Sequence, residues 1–286
     1  MSTTTDREFD ELHRIATQIR RDILRMVHGA QSGHPGGSLG CTEFFTALYF
    51  HLLQHRPQPF RLEGKHEDVF ILSNGHISPV YYSALARAGY FQAGELATFR
   101  KIDSRLQGHP TTHEGLPGIR TATGSLGQGL SVAIGMALAK RMDEDKHLVY
   151  ALLGDGELQE GQNWEALMFA AHHLVDNLIA TVDCNNQQID GTVHQVMNLG
   201  NLSGKFQAFG WKVLEMDGNN MRDVVDTLRV AQSLQGQRQP IAILMRTRMG
   251  CGVDFMEDDH RWHGVAPSDE QLERALAQLP ETLGDF

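Results

Sequence analysis

Apolar positions recur every three or four residues from Asp6 to about Val27: Phe9, Leu12, Ile15, Ile19, Ile23 and Met26. That spacing predicts an amphipathic helix ended by Gly29, with residues 1–5 as a loose leader. A glycine-rich loop, Gln31 to Gly40, is expected next, then a helix from about Thr42 to Gln54, stopped before Pro57. The unbroken apolar run Val69-Phe70-Ile71-Leu72 reads as a buried strand. Pro79 to Ala88 and Glu95 to Ile102 read as helical, and Gly108 to Gly118 as an irregular surface loop. Gly124 to Gly129 is expected to open a helix reaching about Met142. Leu148 to Leu153 and Leu178 to Val182 read as two more buried strands, with helical spacing from Glu160 to Leu174 between them. After Gly191 the pattern is turn-rich. Strands at Trp211–Met216 and Ile241–Met245 then enclose a helix from Asp223 to about Leu234. A loop holding His260 and His263 leads to a last helix near Ser268 to Leu279, opened by Ser268 and Gln271 as a capping box.

Strands alternating with helices predict an α/β fold: an open, mostly parallel sheet covered by helices on both faces. No linker divides the chain, so a single domain over 1–286 is expected, with 251–286 as a C-terminal loop and helix extension. Two strands end abruptly in polar residues, one in Gly154-Asp155-Gly156 and one in Asp183-Cys184-Asn185-Asn186. In a right-handed βαβ unit both ends lie on one edge of the sheet, the edge where ligands bind. Asp155 and Asn185 are thus expected to meet around one small cation.

Composition narrows the class. A length of 286 residues is ample for a core, and a formal charge of −10 without a basic cluster argues against nucleic acid and anionic membranes. The cysteines Cys41, Cys184 and Cys251 are far apart and lack zinc spacing; an odd count without a signal peptide fits a reducing cytoplasm.

Asp155 and Asn185 are oxygen donors of the kind magnesium prefers. One carboxylate, one amide oxygen and a backbone carbonyl leave room for a water and two diphosphate oxygens. Gly154 and Gly156 permit a sharp turn and close approach. The bland alternative, a strand-ending turn, weakens once a second strand ends in Asn-Asn one crossover away. Gly124-Ser125-Leu126 at a helix start can aim backbone N–H groups at an anion, whereas Gly127 and Gly129 fit a close helix-packing turn. Of the fifteen histidines, most are bystanders. His34, His76, His109 and His263 stand apart because each adjoins Gly or Pro in a loop. Phe44, Phe45, Tyr49 and Phe50 read as core, and Cys184 as a small buried filler.

The chain resembles the thiamine diphosphate enzymes, and most closely transketolase. Gly154-Asp155-Gly156-Glu157-Leu158-Gln159-Glu160-Gly161 matches that family's pattern. Ser32-Gly33-His34-Pro35, Ser73-Asn74-Gly75-His76, Gly108-His109-Pro110, Gly124 to Gly129 and His263-Gly264 follow in the family's order. The similarity covers nearly this whole chain but only the first, diphosphate-binding (PP-type) half of a usual transketolase. It implies thiamine diphosphate with Mg2+ (or Ca2+ or Mn2+), held through Asp155, Asn185 and the backbone carbonyl of Gln187. It also implies cofactor contacts from His76, Gly124, Ser125, Leu126, Gly156 and His263. His34 and His263 would meet the donor sugar, His109 its hydroxyls, and His263 would accept the proton. Glu160 resembles an acid set between paired cofactor sites, though a helix-start acid favoured by the dipole explains it nearly as well.

The resemblance further implies a missing half: a pyrimidine-binding domain with the glutamate that activates the cofactor. A starting Met, a finished last helix and an acidic tail favour one subunit of a split transketolase over a fragment. Its partner would be a C-terminal subunit in an α2β2 assembly acting on sugar phosphates or related sugars. The alternatives are the α subunit of a 2-oxo acid dehydrogenase and a non-catalytic regulatory relative.

Overall fold

The computed structural model describes residues 4–286, so residues 1–3 of the expected leader lie outside the described residues. Thr5 is already structural. Its hydroxyl accepts from the Glu8 amide while the Glu8 carboxylate accepts from the Thr5 amide, opening α1 (Asp6–Ala30). The helix passes through Gly29 and stops at Gln31, which takes a left-handed φ of 48°.

The expected glycine-rich loop is instead largely helical. α2 (Pro35–Gly40) starts at a proline preset for a first turn. Its small residues allow contacts no side chain would permit: a Cβ on Gly40 would stand 2.9 Å from the Arg248 carbonyl oxygen. α3 (Thr42–Ala47) continues as a π-turn over Leu48–Leu52. β1 (Val69–Leu72) leads through a 3₁₀ turn, Gly75–Ile77, into α4 (Ser78–Arg87). The helix expected at Glu95–Ile102 is only a 3₁₀ turn over Ala93–Thr98, and Ile102 lies exposed. α5 (Gly129–Met142) begins after the Gly124–Gln128 run rather than within it. β2 (Val149–Gly154), a 3₁₀ turn over Gly156–Gln159, α6 (Gly161–His172) and β3 (Leu178–Cys184) follow as expected.

The turn-rich stretch holds short elements that periodicity could not reveal. They are the antiparallel pair β4 (Gln187–Gln188) and β5 (Gly191–Thr192), then α7 (Val193–Met197) and α8 (Leu202–Ala208). β6 (Lys212–Asp217), α9 (Met221–Ser233) and β7 (Ile241–Arg246) lead to a 3₁₀ turn at His260–His263 and to α10 (Asp269–Ala277). The Ser268–Gln271 capping box is formed.

The main sheet has five strands in the order β1-β2-β3-β7-β6, all parallel. Strand alternation splits the core in two. Phe70, Leu72, Tyr150, Leu152 and Ile243 face a layer built from α1, α3, α4 and α9. Val69, Ile71, Val149, Ala151, Leu153 and Val182 face α5, α6 and α8. Each face thus removes a continuous apolar surface from water, the main favourable contribution to folding. Phe44, Phe45 and Tyr49 belong to the first core, with Phe50 packed at its edge. The chain leaves β1 toward the first face, through α4, and β2 toward the second, through α6. A crevice therefore opens between their carboxyl ends, where α/β sheets bind ligands.

Candidate active site

The crevice is a cavity of about 360 Å³. His34, His76, His109, His263, Gly124, Leu126, Asp155, Gly156, Glu160, Asn185 and Gln187 all line it, although they come from segments far apart in the chain. Ser125 is exposed and does not line it.

The four imidazoles gather around His34. Its ring centroid lies 5.1 Å from that of His76, 5.5 Å from His263 and 6.4 Å from His109, and His76 stacks on His263 at 5.1 Å. His34 sits at the start of α2, His76 in the turn after β1, and His263 in the last 3₁₀ turn. Burial, then the His263, Arg100 and His109 charges, push the His34 pKa down to about 3. Burial holds His76 well below its usual value, followed by the other three histidines, and it lowers His263 as well. His109 is lowered by burial and by Arg100. At neutral pH all four rings are therefore neutral, each with one donor and one acceptor nitrogen. Nδ1 of His34 and Nδ1 of His263 are buried without a partner, so each is free to meet a ligand.

Opposite the histidines lie the ends of β2 and β3. Gly154 is in register with Asp183. Burial and then the Asp183 carboxylate push Asp155 up to about 7. Burial pushes Asp183 up to about 6 against hydrogen bonds from Thr247, Cys41 and Asn185. The Asp155 carboxylate accepts from the amides of Gly156 (2.8 Å) and Asn186 (2.6 Å). Asn185 donates to Asp183 (2.8 Å), and its Oδ1 accepts from the Gln187 amide (2.8 Å), leaving that oxygen a second lone pair. Gln187 opens the β4–β5 ladder, and its Oε1 is buried without a partner. Among the described residues no group of three or more His, Cys, Asp or Glu converges as a metal site. One carboxylate with neutral oxygens could hold a cation there, a set that would leave much of the cation's shell to its ligand.

Glycines shape the walls. Gly124 has φ 119°, and a Cβ there would meet the His109 ring at 2.9 Å. Gly127 and Gly129 are packing positions, as expected: a Cβ on Gly129 would stand 2.4 Å from Ser73 Oγ. Around Gly156 a Cβ would find ordinary contacts at 3.5 Å or more, so the protein itself does not demand glycine there. Glu160 is exposed at the cavity rim; it occupies the N-cap of α6 but makes no capping bond. Cys184 is half-buried, and burial raises its thiol.

Sequence reasoning missed Glu157. Its buried carboxylate accepts from the Ser73 hydroxyl, the Gly127 amide (2.7 Å) and the Gly154 amide (3.1 Å). It joins the ends of β1 and β2 to the turn before α5. Asp183 was also missed as a site group, although its place two residues before Asn185 on a strand end was the available signal.

Comparison with known proteins identifies the family. The family model described as "Transketolase, thiamine diphosphate binding domain" matches residues 12–281. The chain is 39% identical to one of the subunits of the apulose-4-phosphate transketolase of Actinobacillus succinogenes, over 96% of this chain and 97% of that one. It is 38% identical to a 6-deoxy-6-sulfo-D-fructose transketolase subunit from a Clostridium species, over 96% of this chain and 98% of that one. Among solved structures, the Campylobacter jejuni transketolase superposes with a TM-score of 0.86 at 32% identity. That match covers 94% of this chain but 43% of the Campylobacter one.

Proposed function

The chain belongs to the transketolase family, as its thiamine diphosphate-binding domain, and from that premise we propose that it is one subunit of a split transketolase. It moves a two-carbon ketol unit from a ketose to an aldose. The observation that carries the reading is a single cavity in which four neutral histidines face the strand ends bearing Asp155 and Asn185.

Thiamine diphosphate would supply a nucleophilic carbon and a sink for the electron pair of the two-carbon fragment. The residues present suit it. Asp155, the Asn185 amide oxygen and the Gln187 backbone carbonyl would hold Mg2+, or Ca2+ or Mn2+ in its place, a hard cation that takes oxygen donors. A cation there also offsets the crowding of Asp155 against Asp183. Gly156 admits the diphosphate closely, with His76 and His263 beside it. Gly124 and Leu126 would form the wall for the aminopyrimidine, with the exposed Ser125 between them in the chain. His34 and His263 orient the donor sugar, His109 meets its hydroxyls, and His263 accepts the hydroxyl proton, a step neutral imidazole performs near pH 7. A donor ring beside it stabilises developing negative charge on oxygen.

The whole chain acts as one domain in this reading, residues 251–286 serving as an extension that delivers His263. A partner polypeptide carries the pyrimidine-binding domain and the activating glutamate, in an α2β2 heterotetramer with Glu160 between paired cofactor sites. The enzyme works in the cytoplasm, in the pentose phosphate pathway or an allied branch of carbohydrate metabolism. Relatives named for apulose 4-phosphate and a sulfonated fructose extend the substrate class to branched or sulfonated ketoses. Those same names leave the 2-oxo acid dehydrogenase and regulatory readings unsupported. Purified chain, thiamine diphosphate, Mg2+ and xylulose 5-phosphate are expected to give turnover only when the companion polypeptide is added. Robust turnover by this chain alone would refute the split.

A further inference from the structure

Asn74 follows Ser73 at the carboxyl end of β1 and is 1% exposed, yet its Oδ1 has no hydrogen-bond partner. A buried carboxamide oxygen left unmatched is costly, and nothing in the fold compensates for it. The residue lines the cavity between His76 and Gly154. A Cβ built on Gly154 would lie 3.8 Å from Asn74 Nδ2, so the carboxamide stands next to the β2 end that carries Asp155. Its backbone cannot drift. A Cβ on Gly75 would meet Thr123 Oγ1 at 2.3 Å and the Gly124 amide at 2.9 Å, and the Asn74 carbonyl accepts from Ile77 (3.1 Å). The turn is thus clamped against the Thr123–Gly124 wall, holding the carboxamide ready for a ligand.

We infer that Asn74 is a further cofactor-binding residue, whose carboxamide would hydrogen-bond the diphosphate side of the cofactor at the β1–β2 end of the cavity. The inference rests on the thiamine diphosphate reading above. A carboxamide suits that place because it offers donors to phosphoryl oxygens and an acceptor to water. Asn163 and Asn177 also bury an unpartnered Oδ1, but each anchors its Nδ2 on a backbone carbonyl, whereas the Asn74 carboxamide makes no hydrogen bond among the described residues.

The test is titration of the full chain, with any polypeptide that co-purifies with it, using thiamine diphosphate and Mg2+. Asn74→Ala, Asn74→Asp and Asp155→Ala are compared with the unaltered protein, and thermal midpoints are read without cofactor. Asn74→Ala is expected to weaken binding about 10- to 100-fold, the range for groups that support a metal site, and to leave the cofactor-free midpoint unchanged or higher. Asn74→Asp is expected to bind more weakly still, because it sets a carboxylate against the diphosphate. Unchanged affinity in Asn74→Ala overturns the inference, as does a lower cofactor-free midpoint with no affinity change. Asp155→Ala separates the two failures. If it loses binding while Asn74→Ala does not, only the Asn74 inference falls. If the unaltered protein does not bind, or Asp155→Ala binds normally, the underlying reading falls with it.

Discussion

Asp22 and Asp155 are both buried aspartates, and they sit in opposite electrostatic settings. Asp22, on α1, accepts from Arg87 Nη2 (2.8 Å) and Nε (2.9 Å), Ser83 Oγ (2.8 Å) and Gln18 (3.3 Å). Nearby, Arg20 grips both oxygens of Glu43 at 2.7 and 2.8 Å. Each of these charges has its counterion inside the same chain. Asp155 has a second carboxylate for a neighbour and accepts from no cationic side chain among the described residues, while burial keeps the four histidines across the cavity from taking up protons. Buried charge with its partners supplied by the chain serves the fold. Buried polarity left without partners at the cavity wall is open to something that binds.

The largest expected effect lies at Asp22. Arg87→Met leaves a buried carboxylate without its main partner, and the expected loss is about 3–5 kcal/mol by urea denaturation. A loss under about 1 kcal/mol would mean that Asp22 is no more dependent on its counterion than Asp155 is.

A smaller effect sharpens the cavity side. The His34 pKa falls from 6.5 in the unfolded chain to about 3 in the fold. Below pH 6.5 the unfolded chain takes up a proton that the folded one refuses, so stability drops as pH falls. Between pH 7 and 5 the expected loss from this ring is on the order of 1–2 kcal/mol. His34→Asn should flatten that slope, measured from urea midpoints at the two pH values. The same slope in both proteins would show that His34 does not titrate differently in the folded and unfolded chain.

The smallest effect is a control. Lys65 and Asp143 pair at 3.0 Å with both side chains more than half exposed. Lys65→Ala should leave the urea midpoint where it is, because water solvates each charge nearly as well as its partner does. A clear shift would show that pairing alone, without burial, separates the two regions.

The sequence revealed elements whose pattern repeats over enough residues. α1, β1, β2, β3, β6, α9 and β7 fall within a few residues of their expected places. It failed where a helix has fewer than two full turns, too few for a periodic pattern to repeat. α7 and α8 have five and seven residues, and their starts rest on single caps from Thr192 and Asn201. It also failed at α2, where glycines that signal a loop are used for close packing against Met249 and Arg248.

By itself the sequence determined the α/β alternation, the polar strand ends at Asp155 and Asn185, and the glycine-flanked histidines that resemble transketolase. Those are local patterns, set by residue type and spacing. Only the tertiary structure decided that four histidine loops share one cavity, that Asp183 crowds Asp155, that Glu157 ties three segments together, and that Asn74 is left without a partner. Each of these depends on groups far apart in the chain being buried side by side. Burial and proximity change what a side chain can do, and neither is written in the order of the residues.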